Sequence, residues 1–135
     1  MTTNPFVDLL KWFGPNGERW YQGTYFLCES GMTSHFIDPT DPPVKACLLG
    51  GIEIVANSHF EKAVDFDSWC DGILNKTSCE MFPSYAHQVY WHSSEKIQMT
   101  FHIGNWNDAE DRTFDDVRAL LEKCALRWEE AQATA

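Results

Sequence analysis

The chain has 135 residues, enough for one domain with a real core and too few for two. Its 44% hydrophobic and 14% aromatic content, with six Trp and nine Phe, excludes a disordered chain. Twenty acidic against ten basic residues give a formal charge of −10, and no cluster of Lys or Arg supplies the counterion release that nucleic-acid binding rests on.

Asn4-Pro5 marks a helix start, since the asparagine accepts from unpaired first-turn N–H groups and a proline there loses no needed donor. Phe6, Leu9, Leu10 and Phe13 share one face, and Gly14-Pro15-Asn16-Gly17 ends the helix. Trp20-Tyr21-Gln22-Gly23 follows, then a short β-prone run over 24–28 that Glu29-Ser30-Gly31 turns back. Trp20 reads as a core anchor whose indole N–H needs a partner if buried. Residues 36–43 form a stiff extended connector, because each residue before a proline is pushed out of helical geometry.

The rest of the chain is expected to be arranged around a helix over 44–57, capped by Asp41 with a proline just inside its start. Val44, Leu48, Ile52 and Val55 make its core stripe, and Cys47, Gly50, Gly51 and Ile54 stand on the neighbouring face. Two adjacent glycines inside a helix cost roughly 1 kcal/mol each relative to alanine, so a close approach by another group should offset them. A core side chain or a ligand can fill that notch.

A short helix over 66–74 comes next, with Trp69, Cys70, Ile73 and Leu74 on one side. Residues 86–91 and 97–103 then read as a β-hairpin in which Trp91 faces Ile97 and Val89 faces Met99. The loop from Gly104 to Arg112 is rich in side chains that bond their own backbone, with Asp108 placed to pair with Arg112. Thr113 caps the last helix, whose Val117, Leu120, Leu121, Cys124 and Trp128 repeat at helical spacing.

Three groups of residues carry candidate chemistry. Cys70, Cys79, His87 and His92 have the atoms of a zinc site without the paired short spacings of one, and no metal or other cofactor is expected. Cys47 near a helix N-terminus is a candidate nucleophile, with His102 or His87 as base and Asn107 or Asp108 to orient it; against this stand its aliphatic neighbours. Trp106, Asn107 and Asp108 beside Trp20, Gln22 and the Cys47/Gly50/Gly51 notch form a candidate rim for a flat, polar small molecule. The structural alternative is a loop whose polar atoms satisfy one another.

The ordered set Trp20-x-Gln22-Gly23, Asp41-Pro42, Cys47-x-Leu49-Gly50, and Trp106-Asn107-Asp108 with Arg112-Thr113 and Val117 resembles a family of unknown function from actinobacteria and their phages, from about Arg19 to Ala125. Gly51 stands where that family usually has alanine, and the region 80–98 is longer than in its shorter members. The resemblance implies no activity; it adds an actinobacterial or phage context.

The expected fold is a single α+β domain over 1–135, with about four helices around the 44–57 helix, one hairpin over 86–103, and residues 24–28 as a third strand. The expected function is a non-enzymatic binding or accessory protein acting on a host component or a small polar ligand. A Cys47-dependent enzyme and an acidic inhibitor of a nucleic-acid-binding partner are the alternatives. Five cysteines at irregular spacings, no basic start or cleavage site in residues 1–14 and no apolar run of membrane length point to a reducing cytoplasm, with neither membrane nor nucleic acid as partner. The oligomeric state is open.

Overall fold

A computed structural model describes residues 4–59, 68–90 and 97–134. Helix α1 (Pro5–Phe13) starts as its sequence demands: the Asn4 side chain accepts from the N–H groups of Phe6 and Val7, and Gly14 leaves the helix at a φ of 91°. The Asn4 amide also donates to the Ala125 carbonyl and to Glu129, which fastens the start of α1 to the far end of the chain.

Strand β1 (Phe26–Cys28) pairs antiparallel with β2 (Thr33–Ser34) on one side and β3 (Pro43–Ala46) on the other. Helix α2 (Leu48–His59) follows at once. A π-helical turn (Ser68–Leu74) runs into α3 (Asn75–Met81), and a 3-10 turn (Pro83–Tyr85) leads to β4 (Ala86–Tyr90), paired antiparallel with β5 (Ile97–Phe101). The short α4 (Ile103–Asn107) and the long α5 (Phe114–Ala133) complete the fold. A reciprocal capping box opens α5, Thr113 and Asp116 each bonding the other's backbone N–H. The architecture is α+β, as expected.

One core gathers α1, α2, the π-helical turn and α5. Phe6, Leu9, Phe13, Leu48, Trp69, Leu74, Trp106 and Leu120 are fully buried in it. A smaller cluster of Phe26, Cys28 and Ala46 lies under the three-stranded sheet. Leu48→Ala should therefore cost about 2–5 kcal/mol in chemical or thermal unfolding, as large-to-small core changes do. No loss in that variant would place α2 outside the core.

Five sequence expectations need correction. The central helix begins at Leu48, and Pro43–Ala46 is a strand, so Val44 stands 41% exposed and outside the core stripe. Asp41 caps no helix; its carboxylate accepts from the Ser30 N–H at 3.0 Å and hydroxyl at 2.6 Å. The run at 24–28 does contribute a strand, but in its own sheet with β2 and β3. The hairpin register is shifted by one from the expectation: Val89 faces Gln98 and Tyr90 faces Ile97, while Trp91 lies outside the described residues. The expected helix at 66–74 is observed as the π-helical turn from Ser68, and Phe66 lies outside the described residues.

Candidate functional site

The start of α2 is where the sequence motifs meet. Its first amide, Leu48 N–H, donates to the Asn107 Oδ1 at 3.0 Å, so a residue 59 positions away caps it. Cys47 occupies the position before the helix, and its Sγ accepts from the Gly50 N–H at 3.4 Å. The thiol thus stands at the helix start rather than in the second turn. It is only 5% exposed. Burial pushes the Cys47 thiol above its ordinary range; the N–H groups of Gly50 and Leu49 oppose this, and the Asp108 charge adds to it.

Asn107 is fully buried and uses its whole side-chain amide. Its Oδ1 accepts from the Trp20 indole Nε1 at 2.7 Å as well as from Leu48, and its Nδ2 donates to the Tyr21 carbonyl and to Asp108 Oδ1. Gln22 donates to the carbonyls of Asn107 and Ala109, and Asp108 Oδ1 accepts from the Gly23 N–H. The Trp20 indole, the Gln22 amide and the Gly23 N–H therefore all donate to the Trp106-Asn107-Asp108 segment. Asp108 does not pair with Arg112, as the sequence suggested. Instead the Arg112 Nε donates to the Trp106 carbonyl at 2.8 Å, and its guanidinium lies 4.3 Å from the centre of the Trp106 ring. Arg112 is the residue that sequence reasoning undervalued. Its spacing six residues after Trp106, across the turn that follows α4, is the signal that could have found it.

The glycine notch is filled by protein. A Cβ on Gly50 would lie 2.4 Å from the Tyr25 carbonyl oxygen, and one on Gly51 would lie 2.6 Å from Phe13 Cζ and 2.8 Å from Leu9 Cδ1. The Tyr25 backbone just before β1, with the Phe26 ring, occupies one position and helix α1 the other, and neither Trp20 nor Trp106 does. Trp106 is fully buried against Phe82 and Phe101, and its indole nitrogen has no hydrogen-bond partner among the described residues.

The other candidates lie apart. His102 is exposed just before α4 and stacks on His87, with ring centres 3.9 Å apart and planes 9° from parallel. Among the described residues no hydrogen bond joins its ring to Cys47, and no three His, Cys, Asp or Glu side chains stand together for a metal. The side chain of Cys70 and all of His92 lie outside the described residues. Among the described residues no helix is long and apolar enough to cross a membrane.

Residues 16–127 match a family of unknown function, DUF6197, and the chain belongs to that family. That span holds every motif residue just placed. No curated protein and no solved structure matches the chain.

Proposed function

We propose that this domain is a non-enzymatic binding or accessory module for a small polar ligand or a host component. An actinobacterial or phage source and a reducing cytoplasm are the setting in which we place it. The observation that carries this reading is the closure of the Cys47–Asn107 cluster: the thiol is buried and pushed toward its protonated form, and the amide of Asn107 has four internal partners. A nucleophile must be reachable and partly ionised near neutral pH. A cluster whose hydrogen bonds are all made within the chain instead holds a scaffold on which a binding surface is carried.

The test is alkylation of the folded protein, read at Cys47 by peptide mapping. The thiol should react only as fast as the chain opens. Rapid, stoichiometric modification of native Cys47 would overturn the proposal in favour of the cysteine enzyme. Stability adds a second readout. Because the Cys47 Sγ accepts from Gly50 in the manner of a helix cap, Cys47→Ala should lose about 0.5–2 kcal/mol, and Cys47→Ser should be at least as stable as the alanine variant.

A further inference from the structure

A cleft of about 350 Å3 lies between the π-helical turn with α3 and the last turns of α5. It has the volume of roughly a dozen waters and falls within the ~300–1,000 Å3 range of small-molecule sites. Ile73, Lys76, Thr77 and Glu80 line one wall, Arg127 and Glu130 the other. One pair of opposite charges across it is closed. Arg127 Nη2 donates to Glu80, and Nη1 donates to the hydroxyl of fully buried Thr77 at 2.9 Å, so the guanidinium is anchored at both terminal nitrogens.

A second pair of opposite charges is not closed. Lys76 stands one helical turn before Glu80, and Glu130 one turn after Arg127, so both face the same cleft. Neither makes an ion pair with another described residue. The backbone beside them supplies an independent observation. The wall that carries Ile73 is the π-helical turn Ser68–Leu74. Such turns account for well under ~1% of residues and are frequent at functional sites. A Cβ placed on Gly72, at the lip, would meet no described residue within 4 Å, so no described residue closes the entrance on that side.

The geometry points to a binding site for a small zwitterion of the amino-acid class in this cleft. The ligand carboxylate lies between Lys76 and the remaining donors of Arg127, its ammonium meets Glu130, and its side chain lies toward Ile73. The ligand completes the charge pairing that Lys76 and Glu130 leave open. This names the ligand class of the binding module proposed above and rests on that reading.

The experiment is an NMR titration of the full chain, following backbone amides, with glycine, L-leucine, L-glutamate and L-lysine as probes. At least one should give saturable shifts centred on Gly72, Lys76, Thr77 and Glu130. For leucine, isocaproate and isoamylamine keep the isobutyl side chain with one charge each, and each should bind about tenfold or more weakly than the amino acid. Lys76→Met and Glu130→Gln should weaken binding to a similar degree with unchanged melting, since both side chains are exposed. Absence of saturable shifts with all four probes would overturn the proposal, as would a single-charge analogue that binds as tightly as its amino acid, or variants that bind like the parent. Alkylation of Cys47 in the same sample keeps the two ideas separable. An inert thiol with no titration removes the cleft alone, whereas a reactive thiol removes the non-enzymatic reading whatever the cleft binds.

Discussion

Asn107→Ala should destabilise the domain by about 3–5 kcal/mol, the largest loss expected from any single polar truncation in the chain. The substitution leaves the Trp20 indole N–H, the Leu48 N–H and the Tyr21 carbonyl without their partner at a buried junction. Each unsatisfied buried group costs roughly 1–3 kcal/mol, and the sum is capped because neighbouring losses do not add. Against a total stability of roughly 5–15 kcal/mol, such a loss is a large share. Asn107→Asp sharpens the test. It keeps the two acceptor contacts, removes the donor that faces Tyr21, and sets a carboxyl beside Asp108. Burial and the like charge raise the pKa of that carboxyl in the folded state above its ordinary ~3.9. The variant should therefore lie closest to the parent below about pH 4 and fall behind as the pH rises through the raised value. Urea unfolding across pH measures both effects, and an alanine variant within about 0.5 kcal/mol of the parent would remove Asn107 from its central place.

The helix ends that proved legible in the sequence are those whose partners are local. Asn4-Pro5 and the Thr113–Asp116 box form caps within a few residues of the groups they satisfy, and both stand where expected. The start of α2 was not legible, because its cap is Asn107 and no local pattern encodes a partner 59 residues away. Asp41-Pro42-Pro43 mimics a helix start so closely that the local pattern alone extends the helix over the adjoining strand. What decides for a strand is β1, which offers its backbone to Pro43–Ala46. The paired glycines announce a close approach, but their occupants, the Tyr25 carbonyl just before β1 and a phenylalanine ring, belong to segments that only the fold brings near. The indole of Trp20 was expected to need a partner, and the Asn107 amide is that partner. The π-helical turn has no signature distinguishable from an ordinary amphipathic helix, so the cleft beside it could not be anticipated.

Of the changes at the two adjacent glycines in α2, Gly50→Ala should be the more damaging. Its new methyl would lie 2.4 Å from the Tyr25 carbonyl oxygen, a backbone atom that also accepts from the Cys47 N–H at 3.0 Å. The backbone at Tyr25, leading into β1, would have to move away from the helix start, and the bond it accepts from the Cys47 N–H would be disturbed. The expected loss is at or above the upper end of the ~1–3 kcal/mol seen for overpacked cores, even after the roughly 1 kcal/mol that alanine contributes to helix propensity. Gly51→Ala meets side-chain atoms of Phe13 and Leu9 instead. Those can turn aside, so its loss should be smaller, and Phe13→Leu in the same chain should recover part of it. Paired melts of the two alanine variants decide the order. If Gly51→Ala proves the worse, the Tyr25 backbone does not press on the helix start as described.

The central claim is that Trp20-x-Gln22-Gly23 and Trp106-Asn107-Asp108 fasten one another into a closed scaffold. Hydrogen exchange on the unmodified protein tests it at the two bonds that converge on Asn107 Oδ1, the Trp20 indole N–H and the Leu48 amide. Both should be protected to the level of the core amides of α5, exchanging only when the whole domain opens. Exchange of the Trp20 indole at the rate of an exposed tryptophan, with α5 still protected, would show that the junction opens by itself and would contradict the closed scaffold.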